Sequence, residues 1–203
     1  PLRLVGSEMC IRDRIIGAGP SGLLLSLLLK RKNIDTIILE KQSSEYVANR
    51  IRAGILEPGT VKLLKKAGIS NRITKEGLRH NGFQVAYNNN IYDIDLKSLA
   101  NDYVTVYGQT EVTKDLMNKL TNENAKIIYD VPKINIIDIE NKPYVEFDCN
   151  KTKESIRADF IVGCDGFHGI SKSYIPNNIK RIFKKDYSFC LLYTSDAADE
   201  GLG

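Results

Sequence analysis

A glycine-rich segment, Gly17-Ala18-Gly19-Pro20-Ser21-Gly22, constrains the fold of this 203-residue chain more than any other feature. It follows Arg14-Ile15-Ile16, the stump of a buried strand, and it opens an apolar helix over residues 21–32. A second strand rich in β-branched residues, Thr36-Ile37-Ile38-Leu39, comes next. This order predicts a βαβ unit and therefore an α/β fold with a parallel sheet.

The same segment has the spacing of a nucleotide-binding turn. Gly17 permits a tight turn, Gly19 lets the backbone approach a pyrophosphate, and Gly22 lets the helix pack closely on the strand. Glu40, at the end of the second strand, is placed to accept hydrogen bonds from an adenosine ribose. The alternative is a glycine-rich turn that binds nothing, and the motif alone does not separate FAD from NAD(P). The cofactor-binding residues predicted in this unit are Gly17, Gly19, Pro20, Ser21, Gly22 and Glu40.

The rest of the chain alternates between helical and strand patterns. Residues 41–54 are predicted to be a polar loop, and residues 57–68 a helix that ends at a C-cap glycine. Asn88-Asn89-Asn90 predicts a hairpin turn, because asparagine tolerates positive φ. A further helix is predicted at 111–121, and strands at 83–87, 91–95, 103–107, 126–129, 134–139, 144–149 and 157–162, the last four as a meander.

Composition excludes several function classes. With 42% apolar and 27% charged residues, the chain is neither disordered nor collagenous. The net charge of +4 is spread along the sequence, so we expect no nucleic-acid stripe, and no apolar run is long enough to span a bilayer. Four cysteines, which have neither metal-ligand nor disulfide-framework spacing, favour a reduced, cytoplasmic setting without a metal site: Cys10, Cys149, Cys164 and Cys190.

The two ends of the chain are related to each other at the nucleotide level. Residues 9–13 can be encoded ATG TGT ATA AGA GAC, and one frame of the reverse complement encodes Leu191-Leu192-Tyr193-Thr194. This pattern is typical of the transposon end used to tag sequencing libraries, and coincidence is the alternative. We therefore expect residues 1–14 and 190–203 to be extraneous, and residues 15–189 to be a piece of a longer protein.

Two later segments bear on the choice of cofactor. Arg50-Ile51-Arg52-Ala53-Gly54 places two guanidiniums on an extended loop, where they can reach a pyrophosphate or a carboxylate. Ile161-Val162-Gly163-Cys164-Asp165-Gly166 puts an acid and a glycine after a buried strand. The carboxylate of Asp165 can contact the ribityl or pyrophosphate region of a flavin, whereas the alternative is an ordinary Asp-Gly turn.

Together these segments resemble the group A flavoprotein aromatic hydroxylases. The two most specific stretches are Val104-Thr105-Val106-Tyr107-Gly108-Gln109-Thr110-Glu111-Val112-Thr113 and Gly163-Cys164-Asp165-Gly166-Phe167-His168-Gly169-Ile170-Ser171. The resemblance runs from about Ile15 to Phe189 and covers the first half of a family member. It implies an α/β, Rossmann-like FAD/NAD(P)-binding domain with a three-stranded β-meander. It also implies part of a substrate-domain β-sheet, truncated, starting near residues 80–108.

The resemblance also implies roles for single residues at the flavin. Glu40 corresponds to the residue that binds the adenosine ribose of FAD. Arg52 and Gln109 correspond to contacts with the diphosphate or ribityl region, and Asp165 closes that site. Arg50 lies beside it, and the residues near the isoalloxazine are Ala53 and Gly54.

A second group of residues corresponds to positions that the family uses around NADPH. This group comprises Gln42, Tyr46, Phe167, His168 and Lys172. The family has an arginine where Lys172 stands and often one where Lys41 stands, and a lysine lacks the bidentate geometry for phosphate. His80 corresponds to a histidine linked to proton exchange with the substrate, so it is the predicted catalytic residue.

The implied activity is the hydroxylation of a small aromatic acid. The expected reaction converts 4-hydroxybenzoate to 3,4-dihydroxybenzoate with FAD as cofactor, and with NADPH and O₂ as co-substrates. We expect a cytoplasmic homodimer that binds neither nucleic acid nor membrane, and we expect the chain alone to be inactive. Alternatives are another FAD-dependent phenol hydroxylase or oxidoreductase, and a non-catalytic dinucleotide-binding module.

Overall fold

The computed structural model of the chain describes residues 13–149 and 152–186. Residues 1–12 and 190–203, most of the two segments expected to be extraneous, lie outside the described residues. The helices are α1 (Pro20–Lys30), α2 (Ser44–Asn49), α3 (Pro58–Lys66), α4 (Asn71–Glu76), α5 (Leu96–Ala100) and α6 (Gln109–Asn122), followed by a 3-10 helix (Ser171–Tyr174). The strands are β1 (Asp13–Ile16), β2 (Thr36–Leu39), β3 (Ile55–Leu56), β4 (Leu78–His80), β5 (Gly82–Tyr87), β6 (Asn90–Asp95), β7 (Val104–Val106), β8 (Lys126–Ile128), β9 (Ile134–Ile137), β10 (Tyr144–Cys149), β11 (Thr152–Arg157) and β12 (Phe160–Gly163).

A four-stranded parallel sheet in the order β12-β1-β2-β8 lies at the centre of the fold. Its β1 begins at Asp13, within the segment expected to be extraneous, and pairs along its whole length with both neighbours. Strands β1 and β2 are joined by α1, as the βαβ pattern predicts. The α/β fold with a parallel sheet is therefore confirmed.

Each face of the parallel sheet is covered by a different layer. On one face, Ile15 and Ile38 pack in a cluster with buried leucines of α1 and α6. On the other face, Ile16 and Leu39 pack with buried residues of β10 and β11, such as Phe147. Strand β2 is buried along its whole length and consists of Thr36 and three apolar residues, as is usual for an inner strand of a parallel sheet.

The antiparallel layer is a three-stranded meander in the order β11-β10-β9. Two of the four strands predicted for the meander belong elsewhere, because β8 and β12 pair within the parallel sheet. The single strand predicted at 157–162 is wrong. Residue 157 is the end of β11, Ala158 and Asp159 form a connection, and the remaining residues belong to β12. The true third strand is largely polar, and Ile156 is its buried apolar residue, so its sequence carries little apolar signal.

The polar loop predicted at residues 41–54 contains a short helix, α2. The Ser43 hydroxyl caps this helix by accepting a hydrogen bond of 3.1 Å from the Tyr46 N–H. The helix has no fully buried residue, so the sequence shows no apolar periodicity there. Helix α5 also has no buried residue, so it too lacks an apolar periodicity from which it could be predicted.

The β5–β6 hairpin is confirmed, with Asn88 and Asn89 at φ values of 47° and 61°. Strands β3, β7 and β4, which precede and follow the hairpin in the chain, form a small antiparallel sheet in the order β3-β7-β4. Among the helices that the structure describes, none has the length and apolarity needed to cross a bilayer.

Candidate cofactor site

A cavity of about 480 Å³ opens at the carboxyl ends of β1, β2 and β12. This volume lies within the range of roughly 300–1,000 Å³ that cofactor and ligand sites occupy, and ligands of open α/β sheets bind at this edge. The cavity brings together twelve of the predicted site residues, which are Gly17, Gly19, Pro20, Ser21, Glu40, Gln42, Tyr46, Arg50, Arg52, Gln109, Asp165 and His168.

The glycine segment has the conformation that its sequence predicts. Gly17 has a φ of +104°, and a Cβ there would lie 2.6 Å from the Cys164 carbonyl oxygen. A Cβ on Gly22 would lie 2.1 Å from the Gly17 oxygen, so this glycine permits the close packing of α1 on β1. At Gly19, by contrast, a Cβ would meet no atom within 4 Å, because this residue faces the open cavity.

The N-terminus of α1 points into the cavity at Gly19, Pro20 and Ser21. No side chain caps this terminus, and its first turn contains no acidic residue. Its N–H groups and the positive end of its dipole therefore suit an anionic group such as a pyrophosphate. This open cradle is the feature of the structure that fits a dinucleotide such as FAD.

The carboxylate of Glu40 is held in place at the end of β2 by two backbone donors. One oxygen accepts a hydrogen bond of 2.6 Å from the Ala18 N–H, and the other accepts one of 2.8 Å from the Gln42 N–H. Glu40 thus ties the glycine segment to the chain that follows β2. Each carboxylate oxygen keeps a further lone pair for a ligand in the cavity.

Two arginines, Arg50 and Arg52, also line the cavity. The Arg50 guanidinium lies 5.8 Å from the centre of the Tyr46 ring, a cation–π contact that α2 makes possible. Arg52 donates a hydrogen bond of 3.3 Å to the Ile51 carbonyl oxygen. With Lys41 they give the cavity the positive charge that a diphosphate requires.

Gln109 reaches the cavity because it is the first residue of α6. The helix begins two residues before the predicted start at residue 111, with Gly108 as its N-cap. Tyr107 donates its backbone N–H to the Gly54 carbonyl oxygen at 2.7 Å, and a Cβ on Gly54 would lie 3.2 Å from Gly108. Gly54 therefore packs against the turn that precedes α6, Ala53 is exposed, and neither residue lines the cavity.

Asp165 lies where β12 ends, next to the glycine segment. Its Oδ2 accepts hydrogen bonds from the Ser171 N–H at 2.9 Å and from the Ser171 hydroxyl at 3.0 Å. The neighbouring thiol of Cys164 also lines the cavity. Burial, followed by the charge of Asp165, raises the pKa of the Cys164 thiol, so it is neutral and a poor nucleophile.

Phe167, His168 and Lys172 form a cluster at the rim. The rings of Phe167 and His168 are edge-to-face with centroids 5.0 Å apart, and His168 lines the cavity. The Lys172 ammonium lies 4.5 Å from the centre of the Phe167 ring and donates to the Phe167 carbonyl oxygen. Phe167 is 76% exposed, so the cluster presents an aromatic face to solvent.

His80 is not brought to the cavity. It lies on β4, exposed, and pairs with Val104 of β7. Gly22, Ala53, Gly54, Phe167 and Lys172 are the other predicted residues that do not line the cavity.

The cavity also contains residues that sequence reasoning did not select. Thr113 enters because it lies one helical turn after Gln109 on α6. Val131 and Pro132 enter on the connection between β8 and β9, which starts at the same edge of the parallel sheet. Only the position of β8 beside β2 reveals them, and that pairing has no signature in the sequence.

Comparison with known proteins agrees with this geometry. A profile of the FAD binding domain family matches residues 13–197. Over 176 residues the chain is 44% identical to p-hydroxybenzoate hydroxylase from Acinetobacter baylyi, covering 86% of this chain and 44% of that protein. The chain therefore spans less than half the length of this relative.

Solved structures show the same fold. The p-nitrophenol 4-monooxygenase of Pseudomonas putida DLL-E4 aligns with a TM-score of 0.67 and 25% identity, over 76% of this chain and 40% of that one. A probable FAD-dependent monooxygenase from Pseudomonas aeruginosa aligns with a TM-score of 0.70 over 87% of this chain and 48% of that one, at 16% identity. From the family match, the fold and the open glycine cradle, we conclude that the chain belongs to the FAD binding domain family.

Proposed function

We propose that the chain is the FAD-binding part of an aromatic hydroxylase that converts 4-hydroxybenzoate to 3,4-dihydroxybenzoate. The observation that carries the proposal is the 44% identity to p-hydroxybenzoate hydroxylase over 86% of the chain. In this proposal residues 15–189 form the FAD-binding domain, and the small sheet and hairpin near residues 80–108 begin the substrate domain. NADPH and O₂ are the proposed co-substrates.

The proposed position of FAD follows from the charges of the cavity. The N-terminus of α1 at Gly19 and the guanidinium of Arg52 would hold the diphosphate. Glu40, whose carboxylate is oriented by two backbone N–H groups, would accept hydrogen bonds from the adenosine ribose. Gln109 and Asp165, which line the same cavity, would contact the ribityl chain.

When bound, FAD supplies the hydride acceptance and the oxygen activation that hydroxylation needs. The residues of this chain bind and orient it. Cys164, whose thiol is neutral, and the apolar Val131 and Ile170 are uncharged residues of the cavity lining. The rim cluster of Phe167, His168 and Lys172, with Tyr46 across the cavity, is the proposed contact for NADPH.

The test is purification of the full-length protein that contains this chain, followed by an assay with two phenols. We expect bound FAD and oxidation of NADPH that depends on 4-hydroxybenzoate, with 3,4-dihydroxybenzoate as product. Bound FAD with turnover of 4-nitrophenol alone would reassign the substrate to that of another phenol hydroxylase. A protein that binds no flavin would contradict the whole proposal.

A further inference from the structure

We infer that Ser171 is a positioning residue that holds the Asp165 carboxylate in the wall of the cofactor cavity. This inference rests on the proposed function, because it assigns Ser171 a role in the binding of FAD. Ser171 begins the 3-10 helix Ser171–Tyr174, and it does not itself line the cavity.

Ser171 donates two hydrogen bonds to the same oxygen of Asp165. The backbone N–H of Ser171 donates to Oδ2 at 2.9 Å, and its hydroxyl donates to the same oxygen at 3.0 Å. Two donors on one oxygen fix the rotation of the carboxyl group, and hydrogen bonds to a charged acceptor are the stronger kind. Oδ1 is the oxygen that neither bond occupies.

Two glycines make this close approach possible. A Cβ on Gly169 would lie 2.1 Å from the Asp165 carboxyl carbon, and a Cβ on Gly163 would lie 2.5 Å from the Ser171 Cβ. A side chain at Gly169 would therefore displace the Asp165 carboxyl group, and one at Gly163 would displace Ser171. The loop from Gly163 to Ser171 is shaped around this pair.

The pair is also anchored to the glycine segment. The Cys164 N–H donates to the Ile16 carbonyl oxygen at 2.7 Å, and a Cβ on Gly17 would lie 2.9 Å from the Asp165 Cα. The backbone of Asp165 is thus fixed beside the diphosphate cradle, while its side chain still has two free torsions. Ser171 removes that freedom before a ligand arrives, which lowers the entropy lost on binding.

The experiment measures FAD affinity in the full-length protein by quenching of flavin fluorescence, and it needs no turnover. We expect Ser171→Ala to weaken FAD binding about tenfold, or about 1.4 kcal/mol. Ser173→Ala is the matched control. Ser173 lies in the same 3-10 helix, but its hydroxyl donates to the Ile170 carbonyl oxygen, at 2.6 Å, and not to Asp165. This control should change the affinity less than twofold, and Ser171→Thr, which keeps the hydroxyl, should restore most of the loss.

A double-mutant cycle separates positioning from general stability. If Ser171 acts through Asp165, Ser171→Ala should have no further effect on affinity in an Asp165→Ala background. Additive losses in the two variants, or an unchanged affinity in Ser171→Ala, would overturn the inference while leaving the proposed function intact. Absence of FAD binding by the unsubstituted protein would overturn both.

Discussion

Gly22 and Gly59 differ in the space that surrounding atoms leave for a Cβ. A Cβ at Gly22 would lie 2.1 Å from the Gly17 oxygen and 3.1 Å from an Ile15 methyl group. At Gly59, in α3, a Cβ would meet no atom within 4 Å. The two positions therefore form a matched pair in which the same substitution has opposite consequences.

We expect Gly22→Ala to destabilise the protein by about 2 kcal/mol or more, because the backbone of the glycine segment must shift to accept the methyl group. Gly59→Ala should stabilise it by up to about 1 kcal/mol, since alanine is the better helix former. Urea unfolding of the two variants checks both signs. A Gly22→Ala variant as stable as the original protein would contradict the described packing of α1 on β1.

At Arg14 the structure differs from what the sequence suggests about the first strand. The sequence places Arg12-Asp13-Arg14 where buried apolar residues belong, which suggests that the strand ends there. In the structure Arg14 is 2% exposed and pairs with Ile37 and Ile161 inside β1. Pairing on both sides keeps the strand in register even though two of its four side chains, Asp13 and Arg14, are charged.

At the scale of elements, one arginine joins α4 to α6. The guanidinium of Arg72 donates to Asp115 at 2.7 Å, to Glu111 at 2.7 Å and to Glu76 at 2.9 Å. Asp115 in turn accepts a hydrogen bond of 2.7 Å from the Tyr107 hydroxyl. Through Tyr107 the network links α4 and α6 to the segment between β7 and Gln109, so it supports one wall of the cavity.

This network predicts a pH dependence. Hydrogen bonds from Arg72 and then Lys114 hold the pKa of the Glu111 carboxyl below its ordinary value of 4.5. A carboxyl whose pKa is lower in the folded state stabilises the fold above its ordinary pKa, and this contribution disappears as the pH falls through the folded-state value. We therefore expect the stability to decrease as the pH falls below about 4.5.

Removal of the arginine tests the assignment. Arg72→Gln should make the loss of stability below that pH shallower, as measured by urea unfolding at several pH values. Arg79→Gln is the control, because the Arg79 guanidinium lies over the Tyr103 ring at 4.7 Å and no hydrogen bond joins it to Glu111. An identical pH profile for Arg72→Gln and the original protein would exclude the proposed source of the dependence.

The elements that could be predicted are those with a periodic apolar pattern. Helices α1, α3 and α6 were predicted because each buries residues spaced along one face, and β2 because all four of its residues are buried. Helix α2 and strand β11 were missed because their residues are mostly exposed and polar. In the site, the glycine segment has a local signature, whereas Val131 and Pro132 depend on strand order.

At the scale of the whole molecule, the β5–β6 hairpin exposes an apolar face. Its side chains alternate, so that one face carries apolar residues and the other carries Gln84, hydrogen-bonded to Asp93 at 2.8 Å. The exposed apolar side chains of the first face are Phe83, Val85, Tyr87 and Tyr92, whereas the opposite face has one, Ile91. A contiguous face of this kind on a two-stranded ribbon favours association between chains.

We expect polar substitution of this face to raise the soluble yield of the chain. Val85→Thr combined with Tyr92→Thr keeps residues that suit a strand while removing apolar surface. The soluble fraction after expression and centrifugation should increase several-fold over that of Gln84→Thr, which alters the opposite face. Equal soluble fractions in the two variants would show that this face does not drive association.

The central claim is that the cavity beside the glycine segment binds FAD through Glu40. Titration of the flavin-free, full-length protein with FAD, in the original form and as Glu40→Ala, tests this claim most directly. Loss of charge-assisted hydrogen bonds, worth about 1.5–3 kcal/mol each, should weaken the affinity at least tenfold. Glu45→Ala, an exposed residue of α2, should leave the affinity unchanged. An affinity for FAD that is the same in Glu40→Ala as in the original protein would contradict the account.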